Sequence, residues 1–188
     1  MLRVLLVDDE PFIVQGLMVF VDWEQEGYEI VYTAADGAEA LTYLKEHKVD
    51  LVISDIKMPV MSGLELLETI RRENISDAYF IILSGYSDFS YAQQAIRYEC
   101  MEYILKPVEK EELLGVLRRV AKVSEAAREN EKKKQKLEHE YLTRNIIALL
   151  CGKYDTVNLE YIKSHMNLSD SVRSVSYTHL TLPTNSRV

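Results

Sequence analysis

Asp8, Asp9, Asp55, Ser84 and Lys106 are the residues of this sequence best suited to act together chemically. Each lies at the end of a short aliphatic run: Asp8-Asp9-Glu10 after Val4–Val7, Asp55 after Leu51–Ser54, Ser84 after Phe80–Leu83, and Lys106 after Tyr103–Leu105. Three carboxylates, one hydroxyl and one ammonium suit phosphoryl transfer to a carboxylate, with Asp55 as the nucleophile that forms an acyl phosphate. An ionised carboxylate needs no general base. It does need a cation, because a phosphoryl dianion repels it. Asp8 and Asp9, with Asp55, offer the hard oxygen ligands that suit Mg²⁺. Lys106 offers a mobile point charge to a phosphoryl oxygen, and Ser84 a hydroxyl. Singly, the residues have plainer readings: Asp9 before Glu10-Pro11 as a helix N-cap, Lys106 as a solvated surface charge.

These residues can meet only if the runs before them are neighbouring strands. The runs at Val4–Val7, Ile30–Thr33, Leu51–Ser54, Phe80–Leu83 and Tyr103–Leu105 are short, aliphatic and hardly alternating, as in a parallel sheet buried on both faces. Helical patterns separate them at Pro11–Val21, Gly37–His47, Gly63–Arg72, Phe89–Tyr98 and Glu109–Val123. Leu113, Leu117 and Val120 recur at the spacing of an amphipathic helix packed on a sheet. Five βα units predict a doubly wound α/β domain of the flavodoxin-like kind, with five parallel strands in the order 2-1-3-4-5. In such sheets the site lies beyond the carboxyl ends of the strands, where the five chemically capable residues fall.

Charge narrows the partners. Residues 1–123 carry 12 Lys and Arg against 22 Asp and Glu, a net of −10, whereas the remaining 65 carry 10 against 8. An acidic front half is a poor surface for nucleic acid, whose phosphates bind clustered Lys and Arg. The N-terminal apolar run reaches acid at Asp8, too early for a signal peptide. No stretch approaches the roughly 20 apolar residues of a membrane span, and a cytoplasmic location without membrane association is expected. Cys100 and Cys151 lack metal-type spacing and read as small buried hydrophobes in a reducing compartment. Trp23 reads as a loop anchor rather than a ligand platform.

Four motifs in order, Val7-Asp8-Asp9-Glu10-Pro11, Ser54-Asp55-Ile56-Lys57-Met58-Pro59, Leu83-Ser84-Gly85-Tyr86 and Lys106-Pro107, resemble the signature of bacterial two-component receiver domains across residues 1–123. The resemblance implies that Asp55 takes a phosphoryl group from a sensor histidine kinase. It implies that Asp9, Asp55 and the backbone carbonyl of Lys57 ligate Mg²⁺ directly, and Asp8 through water. Ser84 and Tyr103 would be a switch pair and Lys106 would bridge to the phosphoryl group. Tyr103 could equally be an aromatic filling space beside the last strand. Lys106-Pro107 is a candidate cis bond, an isomer that only X-Pro bonds reach cheaply. Ser62 stands where the family usually has Asp, and caps a helix about as well. Such a chain is a phosphoacceptor rather than an enzyme, beyond assisting its own phosphorylation and dephosphorylation.

The string Leu83-Ser84-Gly85-Tyr86-Ser87-Asp88-Phe89-Ser90-Tyr91-Ala92, with Asp22-Trp23-Glu24, looks like the YesN-type regulators, in which a receiver precedes a linker and an AraC-type helix-turn-helix domain. Residues 124–174 are expected to be a helical linker or the start of a second domain. Ser124–Gln135 lacks a broad apolar stripe, and Lys132-Lys133-Lys134 reads as a solvated face. From Leu137 to Leu149 an amphipathic pattern resumes, ending near Gly152, as a dimer seam or a second-domain helix. Residues 175–188 look like a translated sequencing adaptor, so a C-terminally truncated regulator is expected, with DNA contacted only by the missing domain and phosphorylation favouring homodimers. Two other classes compete: a receiver-only protein that signals by docking, and an aspartyl-phosphate phosphatase resembling the haloacid dehalogenases. The latter carry Asp-x-Asp after the first strand, where this chain has Asp8-Asp9-Glu10.

Overall fold

The structure, a computed structural model, describes residues 1–85, 89–153 and 155–166. Tyr86 and the adaptor-like residues 175–188 lie outside them. Two compact units divide the chain, Met1–Ala126 and Ala127 onward.

The first unit alternates strand and helix: β1 (Leu2–Val7), α1 (Pro11–Phe20), β2 (Tyr28–Ala34), α2 (Gly37–Glu46), β3 (Leu51–Asp55), α3 (Gly63–Arg72), β4 (Tyr79–Ser84), α4 (Phe89–Arg97), β5 (Glu102–Leu105) and the start of α5 (Lys110–Leu150). The five strands are parallel in the order β2-β1-β3-β4-β5, the expected flavodoxin-like arrangement. Strands run one or two residues past their aliphatic cores because flanking residues join the ladder. Asp55 pairs with Leu83, and Ser84 with Leu105. Both site residues are therefore the last of their strands and share the sheet's rigidity.

Alternation along the strands explains the lack of polar positions. Val4, Leu6, Leu51, Ile53, Ile81, Leu83 and Ile104 face one layer, with Leu17 and Val21 beside α1 and with Leu113, Leu117 and Val120 of α5. Leu5, Val7, Val52, Phe80 and Ile82 face the other, with Ala40, Leu44, Leu66, Leu67, Ile70 and Ala95 of α2, α3 and α4. Each such side chain contributes on the order of 1.5–3 kcal/mol on burial. Trp23 anchors its loop as expected: it is buried, donates Nε1–H to Leu17 O at 3.0 Å, and meets Tyr28 edge to face.

Local chemistry starts the helices. Asp36 caps α2, accepting from Ala38 N and Glu39 N. Ser62 and Glu65 form a capping box on α3, so Ser fills the role expected of it. At α1, Pro11 sits in the first turn and the N-cap is Glu10, without a side-chain cap bond. Asp9 is thus not the cap. Instead Asp8 Oδ1 accepts from Glu10 N at 2.9 Å.

Two expectations need correction. Helix α5 does not stop at Val123 but runs 41 residues to Leu150, although its residues 125–140 are all exposed. Its Glu, Lys, Ala and Arg content sustains a helix without an apolar stripe. Cys151 is exposed and Cys100 half-buried, because the first lies in the turn after α5 and the second in the short connection between α4 and β5. In the second unit, Tyr141 meets Tyr161 of α6 (Thr156–Met166) edge to face, and Asn145 and Ile162 are buried. The Leu137–Leu149 segment therefore packs on a following helix. Among the described residues no helix is long and apolar enough to cross a membrane.

Candidate functional site

The order 2-1-3-4-5 places the carboxyl ends of β1, β3, β4 and β5 side by side. Asp8 follows β1 and is 5% exposed; Asp55 ends β3 and is 9% exposed. Lys106, just past β5, lies between them. Its ammonium is 3.1 Å from Asp8 Oδ2 and bonds directly to Asp55 Oδ1. The second oxygen of Asp55 accepts from Lys57 N at 2.8 Å. Ser84 is fully buried at the end of β4, and its carbonyl accepts from Lys106 N at 2.7 Å, so the backbones carrying the hydroxyl and the ammonium are joined. The Lys106-Pro107 bond is cis.

The turn after Asp55 is held tightly. Gly63 N donates to Ile56 O at 3.1 Å. A Cβ at Gly63 would overlap the carbonyl oxygen of Asp55 and stand 2.7 Å from Ser54 Oγ. Only glycine admits this approach, which closes the loop beneath the nucleophile.

Electrostatics follow from burial. Removal from water pushes the Asp8 carboxyl above the usual carboxylate range, outweighing the hydrogen bond from Glu10 N and the Lys106 ammonium. Burial alone would lower the Lys106 pKa, but hydrogen bonds to Asp55 and Asp8 hold it above the ordinary lysine value. Two carboxylates sharing one ammonium leave an excess negative charge.

The structure does not bring all the predicted residues together. Asp8, Asp55, Ser84 and Lys106 meet, whereas Asp9 is exposed, and among the described residues no three His, Cys, Asp or Glu side chains form a metal-ligating group. The Lys106 ammonium draws the two buried carboxylates onto itself. The donor set still fits a hard divalent cation: oxygen ligands in excess of positive charge, one of them with a carboxyl that burial makes reluctant to ionise. Tyr103 is half-buried against the layer containing Tyr91 and Ala95 of α4, which suits both the switch and the filler readings.

Two features went unread in the sequence. Helix α1, PFIVQGLMVF, carries no charged residue, and Phe12 and Val19 are 85% and 87% exposed. The missing charge was the visible signal. Lys57 also extends its ammonium to 6.0 Å from the centroid of the Tyr91 ring, a contact no spacing rule announces.

Residues 4–118 match the family model described as response regulator receiver domain. An uncharacterized response regulatory protein of Staphylococcus epidermidis is 42% identical over 117 residues, which are 62% of this chain and 45% of that protein. The transcriptional regulatory protein HptR of Staphylococcus aureus is 38% identical over 122 residues, 65% of this chain and 47% of that protein. The chain thus spans about half the length of these relatives. Among solved structures, the receiver (REC) domain of AraT, a response regulator from Geobacillus stearothermophilus, matches with a TM-score of 0.62 at 37% identity, covering 68% of this chain and 98% of that one.

Proposed function

Because the chain belongs to the response regulator receiver family, we propose that Asp55 accepts a phosphoryl group from a sensor histidine kinase and that the fold converts this charge into a signal. One observation carries the reading: the buried carboxylate of Asp55 is oriented by Lys57 N and Lys106 Nζ at the end of a central strand. An oxygen of Asp55 attacks phosphorus, forming the acyl phosphate as the bond to the donor's imidazole nitrogen breaks. The electron pair stays on that nitrogen. Lys106, freed from one carboxylate oxygen, turns to a phosphoryl oxygen, and the Ser84 hydroxyl donates to another.

Asp9, Asp55 and the Lys57 carbonyl would hold Mg²⁺, with Asp8 acting through water. When bound, the ion neutralises phosphoryl charge that would otherwise repel the attacking carboxylate. Incubation with a small acyl phosphate, with Mg²⁺ or with chelator, tests this: acid-stable, hydroxylamine-labile mass gain is expected only with Mg²⁺.

The uncharged face of α1 around Phe12 and Val19, beginning three residues after Asp9, supplies an apolar surface for the kinase beside the site. The output is transcriptional, through an AraC-type domain outside these 188 residues, as in the YesN-type regulators. Support comes from the half-length match to a relative named a transcriptional regulatory protein and from the net −10 of residues 1–123. A further anion at Asp55 makes this unit still less attractive to DNA, so its output is mechanical: a shift around Ser84 and Tyr103 that changes how copies pair. Sedimentation of labelled and unlabelled protein should show a phosphate-dependent shift toward dimers, and identical profiles would remove the pairing step.

A further inference from the structure

We infer that Lys57 is a positioning residue that ties the Asp55 loop to α4 through Tyr91, and that a phosphoryl group on Asp55 releases this tie. The inference rests on the reading of Asp55 as phosphoacceptor and deepens it by naming a route for the signal.

The backbone of Lys57 is fixed to the site, since its N–H donates to Asp55 Oδ2 at 2.8 Å. Its exposed side chain leads away from the site, with Nζ 6.0 Å from the Tyr91 ring centroid, within range of a cation–π attraction. Tyr91 lies in the first turn of α4, half-buried against the same layer as Ala95 and Tyr103. The loop carrying Lys57 is pinned on its far side, where Met61 O accepts from Gly37 N at 3.0 Å and Gly63 N binds Ile56 O. A contiguous path therefore runs from the Asp55 carboxylate through one residue to α4.

Phosphorylation converts the Asp55 carboxylate, which accepts from Lys57 N, into an acyl phosphate that carries a charge of about −1.5 to −2 on its phosphoryl oxygens. A full anion attracts an ammonium more strongly than the quadrupole of an aromatic ring does, and the four-carbon lysine stem lets Nζ turn without moving the pinned backbone. The ammonium then leaves Tyr91 for the phosphoryl oxygens, and α4 loses a tie to β3. The bistable element is the Lys57 side chain, and the local stability of α4 is the readout.

Hydrogen exchange across Ser90–Tyr98, measured on the full chain with and without acyl-phosphate labelling and with occupancy fixed by intact mass, tests this. In the wild type, α4 exchange should rise several-fold on labelling. Lys57→Met and Tyr91→Leu should exchange fast before labelling and change little after it, with the double variant no faster than either single. Lys57→Arg and Tyr91→Phe, which keep the cation and the ring, should behave as wild type. If unlabelled Lys57→Met exchanges like wild type, or if the single effects simply add, the tie does not exist. Failure of Asp55 to label in the wild type would instead overturn the phosphoacceptor reading, while the unlabelled variants would still report on the tie.

Discussion

Lys106 Nζ lies 3.1 Å from Oδ2 of Asp8, although 98 positions separate the two in sequence. The contact exists because the crossover order of the sheet sets the ends of β1 and β5 on either side of β3 and β4, and Lys106 spans them. The same ammonium bonds to Asp55. Among the described residues it is the ion-pair partner of both buried acids, which gives its removal two consequences.

Lys106→Ala should destabilise the fold by about 1–3 kcal/mol, because it leaves two desolvated carboxylates without their partner. The variant should still take label at Asp55 but lose the spectral change that follows labelling. Denaturant melts and circular dichroism of labelled and unlabelled protein measure both. An unchanged phosphorylation-dependent spectrum would remove Lys106 from the signal.

Gly63→Ala places a methyl group against the carbonyl of Asp55 and Ser54 Oγ. The loop must move or the helix must slide, at a cost near the upper end for overpacked sites, about 3 kcal/mol or more. A chemical melt within about 0.5 kcal/mol of wild type would show that the close approach does not constrain the site.

Much of this was legible from composition and period, and the reasons differ by element. The bounds of α3 match the predicted Gly63–Arg72 because Ser62 marks its start in sequence and caps it in space. The strands were found because both layers demand aliphatic residues at successive positions. Helix α5 beyond Val123 escaped because residues 125–140 are held by propensity rather than by packing, so no stripe betrays them. The convergence of Asp8, Asp55 and Lys106 could be read from strand ends alone. The outward placement of Asp9 could not, since neighbouring residues at a strand end point to different sides.

On α1, Phe12→Ala and Val19→Glu should each slow phosphoryl transfer from the cognate kinase about tenfold, the loss of roughly 1.4 kcal/mol of docking energy. Labelling by a small acyl phosphate should not change, since both side chains stand in solvent. Equal slowing with both donors would assign these residues to the fold instead.

The pair Arg118–Glu26 gives a pH signature. Arg118 donates Nε–H and Nη2–H to the two oxygens of Glu26 at 3.1 and 2.8 Å, holding the Glu26 carboxyl below its usual range. A depressed folded-state pKa contributes stability that is fully present above the unfolded value of 4.5 and is lost as pH falls through the lower folded value. The stability difference between wild type and Arg118→Met should therefore be constant above pH 4.5 and shrink below it. A gap that widens on acidification would contradict the assignment.

The central claim is that Asp55 alone receives the phosphoryl group. Peptide mapping by mass spectrometry after labelling with a small acyl phosphate and Mg²⁺ tests it most directly, on wild type, Asp55→Asn and Asp9→Asn. Wild type should carry the label on the peptide containing Asp55, Asp55→Asn should carry none, and Asp9→Asn should label far more slowly at the same position. Label on Asp55→Asn equal to that of wild type would place the chemistry elsewhere and contradict the account.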